Sequence, residues 1–164
     1  MQDNTVGSRP KTDYAYIAGF LDGDGSLMFQ LKKRKDTERG WRLMATIAFY
    51  QDTRHAKPLI WIKKRLGIGY ISQRNDGITE LRINGFGSVA RVLSLLIPYI
   101  KFKKPQAAAI SKACKILENK NISALSGSEK KQLSNFISKV QENNYATRRK
   151  KTVGEVKKIL GLTP

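Results

Sequence analysis

Anionic side chains are scarce in this sequence. Of 164 residues, only 13 are Asp or Glu against 31 Lys or Arg, which leaves a formal net charge of +18. Such an excess calls for a polyanionic partner, with nucleic acid ahead of an anionic membrane surface. Histidine and cysteine occur once each. A lone cysteine excludes an intrachain disulfide, and the alanine-rich surroundings of Cys114 mark it as a small buried hydrophobe. No apolar run reaches the ~18 residues of a membrane span. No basic amphipathic helix carries a bulky apolar face, so a membrane is not an expected partner. The opening MQDNTVGSRPKTD lacks an apolar signal core. It reads as a flexible leader over residues 1–11, and the chain as intracellular, in a prokaryotic cytoplasm or an organelle.

Hydrophobic residues make up 40% of the chain and aromatics 9%, enough for one globular domain over residues 12–164. Residues 119–164 form its basic, helical C-terminal part. Thr12 or Asp13 is placed to cap a first helix running to about Asp22. Ala15, Gly19 and Gly23 recur every four positions along it, with Ala18 and Asp22 beside them, a stripe of small residues that lets another backbone come close. The period then changes to two. In SLMFQLKKRK, Leu27, Phe29 and Leu31 alternate with Met28, Gln30, Lys32 and Arg34. In WRLMATIAFY, Leu43, Ala45, Ile47 and Phe49 alternate with Arg42, Met44, Thr46, Ala48 and Tyr50. These are two strands of an antiparallel hairpin with a basic outer face.

A helix over residues 58–66 ends at Gly67. A second hairpin turns at NDG, with Ile71, Leu81 and Ile83 inward and Tyr70, Ser72, Arg74, Glu80 and Arg82 outward. Helices over residues 88–97 and 105–118 follow. Later, Ser128 is placed to cap a helix with Leu133, Phe136, Ile137 and Val140 inside, and Thr152 with Glu155 forms a capping box. The fold class is α+β: a four-stranded antiparallel sheet with helices on one face and a basic opposite face suited to a DNA groove.

YIAGFLDGDGS, residues 16–26, is acidic in the wrong place. A helix C-terminus carries partial negative charge, so Asp22 and Asp24 there cost stability unless something positive neutralises them. A DGDG element by itself is compatible with a plain turn. An EF-hand loop fails by spacing, since counting from Asp22 puts Leu27 where Gly is needed and Lys33 where Glu is needed. Carboxylates with backbone carbonyls are the oxygen ligands Mg²⁺ prefers, and phosphate supplies more.

The run IAGFLDGDG resembles the signature of the LAGLIDADG homing endonucleases. The order of hairpins, the Gly67–Tyr70 step and IPYIKFKKPQA fit as well, so the resemblance covers nearly the whole chain from about residue 12. It is closest to the single-motif members, and TRRKKTVGEVKKIL is similar to their C-terminal tail. It implies a saddle-shaped sheet and a homodimer packed through Ala15, Ala18, Gly19, Asp22 and Gly23 of the motif helix. The implied activity is cleavage of double-stranded DNA at a long, near-palindromic site, one phosphodiester per strand, leaving 3′ overhangs and promoting intron mobility. Mg²⁺ is the implied cofactor, with Mn²⁺ substituting and Ca²⁺ supporting binding without cleavage. Asp24 is the implied metal ligand with the Gly23 carbonyl, and Asp22 is a lesser one. Gln51 orders solvent around the attacking water. Lys103 stabilises charge at the phosphate, with Lys101 and Lys104 as rivals. His55, where Arg is usual, is at most a donor to that water network.

Base contacts are expected from Gln30, Lys32, Arg34, Arg42, Met44, Tyr70, Ser72, Arg74, Glu80 and Arg82. Phosphate contacts are expected from Lys33, Lys35 and Arg39, and from Arg148, Arg149, Lys150 and Lys151, a run equally readable as a solvated charge cluster. An RNA-splicing maturase and a nuclease-inactive DNA-binding regulator are the alternatives on the same fold.

Overall fold

A computed structural model describes residues 9–36, 40–144 and 149–162. Among the described residues, six α-helices and four strands follow in the order α1 (Arg9–Asp24), β1 (Gly25–Lys33), β2 (Trp41–Asp52), α2 (Lys57–Leu66), β3 (Tyr70–Gln73), β4 (Ile78–Asn84), α3 (Phe86–Leu96), α4 (Lys104–Leu117), α5 (Gly127–Asn143) and α6 (Val153–Ile159). The strands make one antiparallel sheet in the order β1-β2-β4-β3. The two hairpins therefore meet along β2 and β4, and β1 and β3 are its edges. No helix among the described residues is long and apolar enough to cross a membrane.

Side-chain alternation decides which face the helices cover. Across the sheet, Leu27, Ile47 and Ile83 stand in one row, and Gly25, Phe49, Leu81 and Ile71 in the next. All but Ile71 are buried, and Ile71 packs partly buried against them. Leu59 and Ile62 of α2, Val89, Leu93 and Leu96 of α3, and Ile110 of α4 close over this face, all fully buried. Burial of this apolar layer, at ~25 cal/mol per Å², is the main force holding helices to sheet.

Element boundaries depart from the sequence reading at several points. Helix α1 starts at Arg9, with Pro10 in its first turn, where proline's missing N–H costs nothing. It also ends two residues later than expected, at Asp24, and β1 begins at the next residue. β2 runs on to Asp52, so Gln51 lies inside the strand and not beyond it. β1 stops at Lys33 and β3 at Gln73, which leaves Arg34 and Arg74 in the turns. Helix α5 is capped by Ser126, not Ser128. The Ser126 hydroxyl accepts from the Glu129 N–H and the Glu129 carboxylate accepts from the Ser126 N–H. The box at Thr152 and Glu155 forms as expected. Gly67 ends α2 at φ 66°, the left-handed value that only glycine adopts freely.

Candidate active site and nucleic-acid interface

The helix-to-strand step from Asp24 to Gly25 has no loop to absorb it. A Cβ on Gly25 would sit 2.8 Å from the Leu21 Cα and carbonyl oxygen, so glycine is required for the close approach. Gly25 pairs with Phe49, which brings the end of α1 level with the end of β2 at Tyr50 and Gln51. The 3₁₀ turn Thr53–His55 follows directly, and exposed His55 ends it. Gln51, partly exposed, accepts the Asp52 N–H at its Oε1 (2.9 Å), leaving its amide NH₂ as a donor.

The turn after α3 closes the other side. Asp22, partly exposed, spends both carboxylate oxygens on it: Oδ2 accepts from the Lys101 N–H (2.6 Å) and the Phe102 N–H (3.3 Å), and Oδ1 from the Lys103 N–H (3.0 Å). The Lys103 ammonium donates back to the Leu21 and Asp22 carbonyls at 2.8 and 2.6 Å. These are C-terminal carbonyls of α1, which lack helical partners. A cation at a helix C-terminus is favourable for the same reason. Partial burial lowers the Lys103 pKa; Asp22 and Asp24 oppose this by favouring the charged form. Of the three lysines weighed for this position, Lys103 is the one turned into the site. Asp22 is thus a clamp on the turn, with three amides on its two oxygens. Among the described residues nothing is hydrogen-bonded to the exposed Asp24 carboxylate. No group of three His, Cys, Asp or Glu side chains gathers anywhere among them.

The small-residue stripe divides in two. Ala15, Gly19 and Gly23 are exposed, and a Cβ at either glycine would meet nothing within 4 Å. Ala18 is fully buried in the core of the chain itself, so it belongs to the inner face and not to the open one.

On the outer sheet face, Ser26, Ala48, Arg82 and Tyr70 stand in one row, and Tyr50, Glu80 and Ser72 in another. Gln30, Lys32, Arg42 and Tyr70 are exposed there, and Met44, Ser72 and Arg82 partly so. Three outer-face residues on the central strands, Thr46, Ala48 and Glu80, are nonetheless buried, at 4%, 0% and 8% exposure. Glu80 lies 3.6 Å from the Arg82 guanidinium and is buried, so it is not the open outward side chain that the alternation suggests. Arg74 is similarly engaged by Asp76 at 2.7 Å. Sequence reasoning missed Asn84, which donates to the Tyr70 hydroxyl and accepts from the Thr46 hydroxyl. The alternation that places Glu80 and Arg82 outward extends to Asn84 and was the available signal. Arg149, Lys150 and Lys151 are described; Arg39 and Arg148 lie outside the described residues.

The profile of the LAGLIDADG endonucleases matches residues 17–117. The chain belongs to this family. It is 33% identical to DNA endonuclease I-CvuI of Chlorella vulgaris over 106 residues, 65% of the chain and 66% of that protein. It is 26% identical to DNA endonuclease I-CreI of Chlamydomonas reinhardtii over 145 residues, 88% of the chain and 86% of that protein. Both relatives are single-motif LAGLIDADG homing endonucleases. Among solved structures, I-CvuI bound to the I-CreI target in the presence of Mg, its DNA not cleaved, superposes with a TM-score of 0.80 at 26% identity, over 96% of this chain and 100% of that one. I-CvuI bound to its own target in the presence of Ca gives 0.74 at 27% identity, over 95% and 99%. The archaeal intron-encoded I-Vdi141I complexed with DNA shares the fold, at 0.73 and 22% identity, over 92% of this chain and 95% of that one.

Proposed function

We propose that this chain is a sequence-specific, divalent-metal-dependent double-strand DNA endonuclease that acts as a homodimer and promotes intron mobility. The observation that carries the reading is the free Asp24 carboxylate at the end of α1, beside a Lys103 ammonium held against the same helix end. In a protein of net charge +18, one unbonded carboxylate among cations is a site for a cation that itself meets phosphate.

The donor set fits Mg²⁺. Asp24 with the Gly23 carbonyl offers hard oxygen ligands. At this helix end one chain supplies a single free carboxylate, and packing two copies through Ala15, Gly19 and Gly23 brings a second beside it. When bound, the metal supplies Lewis-acid polarisation of the phosphodiester and a more acidic water. Mn²⁺ substitutes in this role, and Ca²⁺ supports binding without cutting. Lys103 stabilises charge on the scissile phosphate from its place at the end of α1. The Gln51 amide orients solvent, and His55 is a further donor to that solvent. Gln30, Lys32, Arg42, Met44, Tyr70, Ser72 and Arg82 read base edges; Arg34 and Arg74 flank them from the turns. Two-fold symmetry predicts a long, near-palindromic site cut once per strand to leave 3′ overhangs.

The test uses DNA spanning the intron-less insertion site, incubated with the protein in Mg²⁺ and in Ca²⁺. Double-strand cutting in Mg²⁺ alone is the expected result. Binding without cutting under every divalent metal tried favours a DNA-binding regulator, and preference for the intron RNA over this duplex favours a maturase. Either outcome overturns the endonuclease.

A further inference from the structure

A groove of about 430 Å³ runs along the outer edge of β1. Gly23, Gly25 and Lys103 line one end, and Lys32, Arg149 and Lys151 the other. From Gly25 to Lys32 the strand advances seven residues, roughly 23 Å at ~3.3 Å each. Among the described residues, no Asp or Glu lines the groove.

Lys151, at its far end, lies against Trp41, the first residue of β2. Lys33 faces Trp41 across the β1–β2 pairing. The Lys33 ammonium lies 5.7 Å from the Trp41 ring centroid, and the Lys151 ammonium, 118 residues further along the chain, lies 5.1 Å from it. Both distances are within cation–π range. The Lys151 N–H donates to Gln141 Oε1 at 2.7 Å, which fastens this segment to α5. Glu155 is the acidic neighbour of Lys151 and Arg149, but its carboxylate is held by the Thr152 N–H in the α6 cap. Two ammonium groups on one ring repel each other, and an anion placed between them relieves the repulsion. A ring contact leaves lysine's N–H donors free for phosphate oxygens.

We propose that Trp41 is the post of a backbone-phosphate site, where Lys33 and Lys151, with Arg149, grip the sugar-phosphate backbone of the bound duplex beyond the base-reading face. The site rests on the DNA-binding reading above. It engages phosphate, so it acts on every sequence alike and shows itself in salt dependence.

The experiment measures binding of a duplex of unrelated sequence by fluorescence anisotropy between 50 and 200 mM NaCl in Ca²⁺. Wild type, Trp41→Ala, Trp41→Phe, Lys151→Gln and Lys33→Gln/Lys151→Gln are compared. Each lost phosphate contact lowers the log–log salt slope by about 0.9, which shrinks the affinity change across this salt range about 3.5-fold. Lys151→Gln is expected to lower the slope by about one contact and the double variant by up to two. Trp41→Ala is expected to match the double variant, and Trp41→Phe, which keeps a ring, to stay near wild type. Thermal unfolding identifies a variant that does not fold, and the surface variant Lys151→Gln carries the test by itself in that case. Wild type that binds duplex while Lys151→Gln keeps the full slope overturns the phosphate site alone. A lowered slope in Lys151→Gln with an unchanged one in folded Trp41→Ala overturns the role of the ring. Wild type that binds no duplex overturns the underlying reading.

Discussion

Replacing Asp22 by Ala separates a clamp from a metal ligand. In the structure its carboxylate accepts two short N–H bonds, from Lys101 and Lys103, and one longer bond from Phe102. Bonds to a charged group contribute about 1.5 kcal/mol or more each, and the long one about 0.5 kcal/mol, so together they supply about 3.5 kcal/mol. A carboxylate at a helix C-terminus costs about 0.3–1 kcal/mol, which the substitution recovers. The net loss is about 3 kcal/mol, or a fall in Tm of roughly 6–12 °C for a chain of this size. The assay is thermal unfolding with and without EDTA, followed by cleavage in Mg²⁺ at a temperature where the variant is folded. The expected result is the full Tm loss in EDTA, with slower cutting because the Lys103 turn is no longer held. An Asp22→Ala protein with wild-type Tm in EDTA and a deficit only in metal refutes the clamp.

Three further outcomes follow from other parts of the fold. Lys120 and the Ser126 N–H pull the Glu129 carboxyl from 4.5 to about 2. Its folded pKa lies below its unfolded one, so its stabilisation is present above about 4.5 and lost as pH falls toward 2. Thermal unfolding against pH should show this loss, and Glu129→Gln should flatten it. A Cβ at Gly25 meets the Leu21 backbone, so Gly25→Ala should lower Tm by several degrees, whereas Gly23→Ala should leave the single chain's stability nearly unchanged. Burial pushes the Cys114 thiol up to about 12, so native protein at pH 8 should resist alkylation that denaturant makes rapid.

Most of the fold was legible because alternation and helical spacing report burial directly. Leu27, Phe29, Ile47, Phe49, Leu81 and Ile83 all face inward as their period demands. The strand order could not be read that way, since nothing local says that β2 pairs with β4. Boundaries slipped where a tertiary partner extends an element: β2 continues through Gln51 and Asp52 because Thr79 and Ile78 pair with them. The acidic end of α1 was visible in the motif, and the resemblance already ranked Asp24 above Asp22, but the physical ground for that division was not visible. Only the turn at residues 101–103, some 80 positions away, shows that Asp22 is consumed and Asp24 is left free. Likewise, Glu80 alternates outward like a base reader, and only the folded chain shows that it is buried and paired with Arg82.

The proposed metal site stands most directly on Asp24. Asp24→Asn removes the charge of the one unbonded carboxylate at the end of α1 and almost none of its volume. Binding of the insertion-site duplex in Ca²⁺ and cleavage in Mg²⁺, measured on the same preparation, should show binding within a few-fold of wild type and no double-strand cutting. Cutting at a near wild-type rate would contradict the assignment of Asp24, and with it the proposed metal site.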